Sequence, residues 1–265
     1  MEKTQVKRSG LKPGQPGYIP HWVMLADTTR CINCKACEVA CRAEWETPLG
    51  HSRDWVHEVE YLNGETGHPE VQLFPGRCQH CDDAPCVEAC PSGASYKRAD
   101  GIVLVDDEAC SGCELCVPAC PYDARFLNPV TNKITKCTFC APRIDKGLSP
   151  ACVQTCVGHA LIFGDVNDPD SEVSRLLAEK EWVKLTTDEV NVGPNHYYYT
   201  AGKSVPEEVL PKQHQRHFAG ELIQNVVNPV GKYGLAGMVG FFALAGVVKL
   251  LQRKEDVAHQ EKEDS

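Results

Sequence analysis

Basic residues are in the minority in this sequence. Its 265 residues include 27 Lys and Arg against 36 Asp and Glu, which gives a formal net charge of −9 at pH 7. A protein that binds nucleic acid generally presents a basic face to the phosphates. The charge balance therefore argues against a general nucleic-acid binder.

A secretory signal and a catalytic nucleophile are also missing. Residues 1–22 carry Lys, Gly and Pro but lack the apolar core of about 7–15 residues that a signal peptide needs. They predict an extended arm that lies on a partner. Outside the cysteines, no nucleophile and base stand together, so we predict no catalytic residues and no enzyme activity by the chain alone. For His80, beside Cys81, a hydrogen-bonded loop residue is favoured over a relay.

Cysteine, in contrast, is abundant, with 16 residues. A chain of this length can build a core without disulfides. The cysteines fall into four groups of four along the chain. These groups are Cys31, Cys34, Cys37 and Cys41; Cys78, Cys81, Cys86 and Cys90; Cys110, Cys113, Cys116 and Cys120; and Cys137, Cys140, Cys152 and Cys156.

The spacing within these groups predicts iron–sulfur clusters. Three thiolates at C-x2-C-x2-C lie on one tight loop that can wrap a cubane. The fourth cysteine follows after three intervening residues and stands before Pro91 or Pro121 in two of the groups. In two-cluster ferredoxins such a cysteine ligates the other cluster. We therefore expect four [4Fe–4S] clusters that use all the cysteines. One-electron carriers in series form an electron wire.

Three other uses of the cysteines compete with this one. A disulfide framework does not require four clustered repeats, and free structural cysteines have no reason to keep this spacing. Structural zinc prefers two C-x2-C pairs separated by a longer loop, which the fourth group alone resembles. A zinc-stabilised interaction scaffold therefore stays as the rival from another class.

Three basic residues lie next to cysteines in the sequence, namely Lys35, Arg77 and Lys136. Each can raise the potential of a nearby cluster or be an ordinary solvated charge. The two tryptophans of the insertion, Trp45 and Trp55, are either interface anchors or packing residues.

The predicted fold class is α+β, with duplicated two-cluster ferredoxin-like units, insertions and one C-terminal transmembrane helix. We divide the chain into an extended arm (1–22), a four-cluster domain (23–165, with an insertion at 42–77), a C-terminal extension and linker (166–228), a transmembrane helix (229–251) and a charged tail (252–265).

Local patterns predict the elements inside these regions. Strands are expected at 23–26, 102–105 and 161–163, and short helices at 84–90 and 114–120. The insertion reads as a hairpin or long loop with a turn at Asn63-Gly64. A surface helix is expected within 165–185, followed by an edge strand near His196 and a linker.

Residues 233–251 contain one charge, Lys249. The length of this segment is within the range of about 17–25 apolar residues that a membrane-spanning helix needs. Small residues such as Ala236 and Gly240 favour close packing against a multi-helix membrane partner. Residues 218–232 hold one Lys or Arg and residues 249–263 hold four. The positive-inside rule then predicts a single pass of the cytoplasmic membrane, with the tail in the cytoplasm and the cluster domain periplasmic. Because no export signal is found in this sequence, the chain is expected to cross the membrane already folded, attached to a partner that carries the export signal.

The cysteine blocks resemble one known family. The matching segments are CINCKACEVAC (31–41), CQHCDDAPCVEACPSGA (78–94), CSGCELCVPACPYDARF (110–126) and KCTFCAPRIDKGLSPACVQTC (136–156), followed by FGD (163–165). They are similar to the four-cluster ferredoxin-type iron–sulfur (beta) subunits of complex iron–sulfur molybdoenzymes. With the C-terminal helix included, the layout is most similar to the membrane-anchored formate dehydrogenase-N and periplasmic hydrogenase type.

The resemblance implies how the cysteines are shared among four sets. Set I is Cys31, Cys34, Cys37 and Cys156; set II is Cys41, Cys137, Cys140 and Cys152; set III is Cys78, Cys81, Cys86 and Cys120; and set IV is Cys90, Cys110, Cys113 and Cys116. The implied partners are a large catalytic subunit with molybdenum or tungsten and a membrane cytochrome b or quinone-reactive subunit. A nickel–iron hydrogenase or a multihaem cytochrome complex is the alternative user of the same wire.

Overall fold

The computed structural model describes residues 13–63 and 67–212. Short strands dominate this part of the chain. In chain order they are β1 (Trp22–Asp27), β2 (Asp54–Leu62), β3 (Pro69–Arg77), β4 (Ser95–Lys97), β5 (Val103–Val105), β6 (Phe126–Leu127), β7 (Ile134–Thr135), β8 (Leu161–Asp165), β9 (Val183–Lys184) and β10 (His196–Tyr199). The helices are α1 (Ala36–Glu44), α2 (Pro85–Glu88), α3 (Ala141–Ile144), α4 (Ala151–Gln154) and α5 (Glu172–Glu179), with a 3-10 turn at Glu207–Val209.

The central sheet has the strand order β8-β1-β10-β9. Strand β1 is antiparallel to β8 and parallel to β10. Its segment Val23–Ala26 is fully buried, as expected for a short apolar run covered on both faces. Three of the predicted strands are therefore present, at 22–27, 103–105 and 161–165.

Small hairpins join the cysteine groups to one another. Strands β2 and β3 pair antiparallel over their full length, from Asp54 opposite Arg77 to Leu62 opposite Pro69, so the insertion is a hairpin. Strands β4 and β5 pair between the second and third cysteine groups, and β6 and β7 pair between the third and fourth. Each hairpin thereby brings two cysteine loops together.

Several short helices carry cysteines, but only one of the two predicted helices, the one at 84–90, is present. Helix α1 holds Cys37 and Cys41, α2 holds Cys86 and α4 holds Cys152. The predicted helix at 114–120 is wrong, because these residues form turns. Pro118 has no N–H for the carbonyl of Glu114, and the chain there makes four-residue turns such as the one closed by Val117 N to Glu114 O at 2.8 Å.

The segment after the last cysteine continues the same sheet. Helix α5 begins at the N-cap Ser171, whose hydroxyl accepts from Ser174 N at 3.2 Å, and it buries Val173. The predicted edge strand near His196 is instead an inner strand, β10, because β9 covers its far side. Long-range pairing of this strand with β1 leaves no local trace in the sequence.

The remaining predictions fall outside the described residues. They are residues 1–12 of the arm, Gly64 of the turn, the linker from 213, the transmembrane helix at 229–251 and the tail at 252–265. Among the residues that are described, no helix has both the length and the apolar character needed to cross a membrane.

Candidate iron–sulfur centres

All sixteen cysteines lie in the described residues and all are free thiols. The structure brings them together across the groups of the sequence. One cavity is lined by Cys31, Cys34, Cys37 and Cys156, which are the members of set I. A second cavity is lined by Cys90, Cys110, Cys113 and Cys116, the members of set IV. In both, the fourth thiol comes from a different group from the other three.

The other two sets are found at the centre of the molecule. The charge interactions of Cys81 are with Cys78, Cys120 and Cys86, the rest of set III. Within set II, Cys41 and Cys152 each interact with both Cys137 and Cys140. These sets likewise combine thiols from two groups.

Exposure separates the inner sets from the outer sets. All eight thiols of sets II and III are buried. In set I, Cys34 is exposed and Cys31 and Cys156 are half-buried; in set IV, Cys90 and Cys113 are half-buried. The two ends of the series therefore reach the surface and the middle does not.

Charge interactions between thiols of different sets indicate which sets are neighbours. Cys137 of set II interacts with Cys78 of set III, and Cys116 of set IV interacts with Cys86 of set III. The buried guanidinium of Arg77 interacts with Cys37 of set I and with two thiols of set II. The sequence of neighbours is therefore I–II–III–IV.

Backbone N–H groups point at the last cysteines of the groups. Ser95 N lies 3.3 Å from Cys90 Sγ, Ala124 N lies 3.5 Å from Cys120 Sγ, and Ala160 N lies 3.2 Å from Cys156 Sγ. Hydrogen bonds of this kind stabilise charge on a ligating sulfur and influence cluster potential. The turn after the cysteine thus supplies a donor in three of the four groups.

Two side chains also donate to sulfur in set II. Trp45 Nε1 lies 3.4 Å from Cys140 Sγ, and Arg77 Nη1 lies 3.6 Å from Cys152 Sγ. Trp45 also stacks against Arg53, whose guanidinium carbon is 4.7 Å from the ring centroid. Neither predicted role of Trp45, interface anchor or packing residue, included this contact of its indole with a ligand from another part of the chain.

The basic residues beside the cysteines differ in burial. Lys35 is an exposed residue that pairs with Glu38 at 3.1 Å, and its charge also acts on the thiol of Cys31 in set I. Arg77 and Lys136 are buried, at 0% and 2% exposure. Lys136 Nζ donates to the carbonyls of Val103 and Cys137. The three basic residues named from their sequence position therefore include one exposed charge and two buried charges.

His80 is a core residue. It is completely buried, its Nδ1 accepts from Val103 N at 3.0 Å and its ring stacks on Phe139 at 3.7 Å. Burial, with Lys136 nearby, lowers the pKa of His80 well below its usual value, so the ring is neutral. This geometry agrees with a hydrogen-bonded loop residue.

The thiols have the chemistry of buried ligands. Burial raises the pKa of Cys37, Cys120 and Cys137 to about 12 and that of Cys116 to about 11. Such thiols become thiolates when iron takes the place of the proton. Buried N–H groups without a partner, at Nε of Arg77 and at Nε and Nη2 of Arg125, lie among these cysteines and suit the sulfurs of a cluster as acceptors. The residues therefore fit [4Fe–4S] clusters.

No single-ion site is found among the described residues. Within residues 13–63 and 67–212, no group of three or more His, Cys, Asp or Glu side chains converges on one ion position. A structural zinc site needs four ligands about 2.0–2.3 Å from one ion.

Comparison with known proteins gives the same result. Two family models, each described as a 4Fe-4S dicluster domain, match residues 30–94 and 69–166. Together they cover all four cysteine groups, and dicluster domains hold two clusters each. The chain therefore holds four [4Fe–4S] clusters.

Curated relatives extend the match over most of the chain. A tetrathionate reductase subunit of Salmonella typhimurium is 45% identical over 186 residues, which cover 70% of this chain and 74% of that protein. Thiosulfate reductase electron transfer subunit PhsB of Salmonella typhi is 45% identical over 161 residues, 60% of this chain and 83% of the relative. Protein NrfC of Escherichia coli strain K12 is 45% identical over 159 residues, 59% of this chain and 71% of the relative. The chain belongs to the family that its cysteine blocks resemble, the four-cluster ferredoxin-type iron–sulfur subunits of complex iron–sulfur molybdoenzymes.

Proposed function

We propose that this chain conducts single electrons through four [4Fe–4S] clusters, between a catalytic subunit and a second redox protein. It is an electron-transfer subunit of a multi-subunit oxidoreductase and not an enzyme by itself. The observation that carries the proposal is the exposure pattern: the thiols of sets II and III are buried, while sets I and IV each have partly exposed thiols. A series of carriers with two accessible ends suits exchange with two different partners.

The ligands we propose are the four sets, each with three cysteines from one group and one cysteine from another group. The cavities of sets I and IV support this sharing, since each is lined by the four thiols of its set. In sets II and III the support is the mutual charge interactions of the thiols. When bound, a [4Fe–4S] cluster accepts and releases one electron at a time.

The chain's own residues provide the environment for that exchange. Burial excludes water from the inner sets, and N–H donors such as Trp45 and Ala124 stabilise negative charge on sulfur. The guanidinium of Arg77, whose charge is paired with Asp54, faces thiols of sets I and II and donates to Cys152 Sγ. These are the means by which a protein tunes cluster potential.

For the catalytic partner we propose a large molybdenum- or tungsten-containing subunit that acts on a sulfur oxyanion. The support is the names of two relatives, which are subunits of a tetrathionate reductase and a thiosulfate reductase. The same electron wire is used with different active sites. The sequence of this chain therefore indicates the class of the catalytic subunit more strongly than the substrate of that subunit.

The experiment is purification of the whole complex under anaerobic conditions through this chain. The complex is reduced with dithionite and then mixed with tetrathionate or thiosulfate, and the reduced clusters are followed by electron paramagnetic resonance (EPR). We expect a large molybdenum- or tungsten-containing subunit to co-purify and one of the acceptors to reoxidise the clusters. A colourless preparation with zinc and without iron or labile sulfide would contradict the electron-transfer proposal. Reduced clusters that neither acceptor oxidises would contradict the proposed substrate class.

We also propose that residues 229–251 anchor the chain in the cytoplasmic membrane beside a multi-helix cytochrome b or quinone-reactive subunit. The support is the sequence: residues 233–251 contain one charge and several small residues. Fractionation tests this proposal. The full chain should sediment with membranes after a carbonate wash, and a chain ending at residue 228 should not. Release of both forms would contradict the anchor.

The side of the membrane is a separate proposal. Residues 249–263, at the C-terminal end of the apolar segment, hold four Lys and Arg, and residues 218–232 before it hold one. This excess supports a periplasmic cluster domain and a cytoplasmic tail. Protease added to intact spheroplasts should then degrade the cluster domain. A domain that is degraded only after lysis would place it in the cytoplasm.

A further inference from the structure

A second buried arginine, Arg125, interacts with cysteines of sets III and IV. It follows Cys120 by five residues and is 4% exposed. Its Nη1 donates to Ser95 Oγ at 2.6 Å, and its Nε and Nη2 have no hydrogen-bond partner among the described residues. A buried N–H without an acceptor is costly, which indicates that an acceptor is expected at this position.

The neighbours of Arg125 are cysteines of two sets. Burial acts against its charge, but the sulfurs of Cys86, Cys116 and Cys78 raise the pKa of Arg125 above its usual value. Cys86 and Cys78 belong to set III and Cys116 belongs to set IV. The guanidinium is therefore charged and faces both sets.

Arg125 differs from Arg77 in how its charge is balanced. Arg77 Nη2 lies 2.8 Å from Asp54 Oδ1, so its charge is paired with a buried carboxylate. The hydrogen-bond partner of Arg125 is the neutral hydroxyl of Ser95. Charge at the boundary of sets I and II is therefore largely compensated, whereas the boundary of sets III and IV has a positive charge close to the sulfurs.

We infer that Arg125 is a positioning residue for electron transfer that raises the reduction potentials of two clusters together, those of sets III and IV. Reduction adds one negative charge to a cluster, and a fixed positive charge nearby stabilises the reduced form. Donation from Nε and Nη2 to cluster sulfur acts in the same direction. The electron comes from the redox partner of the chain, and no bond forms or breaks.

The test is an EPR-monitored redox titration of the purified complex with Arg125→Gln and Arg125→Lys. The control is Arg98→Gln, because Arg98 is close in sequence to set IV but is 29% exposed and pairs with Asp145 at 2.7 Å. We expect Arg125→Gln to lower two of the four midpoint potentials. A shift of about 59 mV corresponds to a tenfold change in a one-electron equilibrium constant, and we expect about this size for each cluster. Arg125→Lys keeps the charge and should shift both midpoints by less than half as much, and Arg98→Gln should leave all four unchanged.

This inference rests on the proposed four-cluster wire, so iron, labile sulfide and zinc are measured first. A wild-type protein without iron would contradict the proposed function itself, whatever the variants show. With four clusters in the wild type and in Arg125→Gln, unchanged midpoints would overturn the inference, as would a shift of one midpoint alone. If Arg125→Gln loses iron, the test is made with Arg125→Lys. Near-native midpoint potentials in this variant support the role of the charge. Two midpoint potentials that fall by about 59 mV, a tenfold change in the equilibrium constant, overturn it.

Discussion

Arg77 Nη2 donates to Asp54 Oδ1 at 2.8 Å, and both side chains are closed to solvent, at 0% and 2% exposure. The two residues lie directly opposite each other at the base of the hairpin formed by β2 and β3. Arg77 immediately precedes Cys78 and also contacts Cys152. The pair thus fixes the hairpin and two cysteine loops to one another.

Asp54→Asn is expected to destabilise the fold strongly. It leaves the Arg77 guanidinium buried with a weaker partner, and breaking a buried ion pair from one side costs about 3–5 kcal/mol. The urea midpoint for loss of far-ultraviolet circular dichroism measures the effect. The control is Lys212→Met, whose pair with Asp123 is 66% and 55% exposed and should not change the midpoint. Equal midpoints for Asp54→Asn and the wild type would contradict this account of the hairpin.

Trp45→Phe is expected to lower one of the four midpoint potentials. The substitution removes the indole N–H that lies 3.4 Å from Cys140 Sγ and keeps most of the packing. A hydrogen bond contributes about 0.5–1.5 kcal/mol, which corresponds to about a twofold to tenfold fall in the reduction equilibrium constant. The control is Trp55→Phe, because Trp55 donates to His57 at 2.7 Å and not to a cysteine. Redox titrations in which both variants behave alike would rule out the proposed donor role.

Gly112→Ala is expected to disturb set IV, whereas Gly93→Ala is not. Both glycines have positive φ, +69° and +70°, so both substitutions carry the same backbone strain. A Cβ at Gly112 would collide with the backbone carbonyl of Asn132, while nothing lies within 4 Å of the same position at Gly93. We expect lower iron content in the purified Gly112→Ala protein and near-native content in Gly93→Ala. Native iron content in both proteins would contradict the tight packing of this loop.

The sequence predicted the features that are encoded locally. The cysteine groups, the hairpin of the insertion and the surface helix α5 each depend on neighbouring residues. The predicted helix at 114–120 failed because Pro118 interrupts it and the cysteine loop folds as turns.

The features that sequence reasoning missed are contacts between distant residues. Trp45 and Cys140 are 95 positions apart, and Arg125 and Ser95 are 30 positions apart. No spacing rule connects such pairs, because the hairpins decide which loops meet. Arg125 itself has one local signal in the sequence. It follows a cysteine block and immediately precedes a strand.

The sharing of cysteines between groups is the central claim, and one set of EPR-monitored redox titrations tests it most directly. Cys152 and Cys156 are four residues apart in the same group, yet they are assigned to sets II and I. In serine variants of the full complex, Cys156→Ser and Cys34→Ser should alter the same EPR component and midpoint, and Cys152→Ser should alter a different one. The claim is contradicted if Cys152→Ser and Cys156→Ser alter the same component while Cys34→Ser alters another.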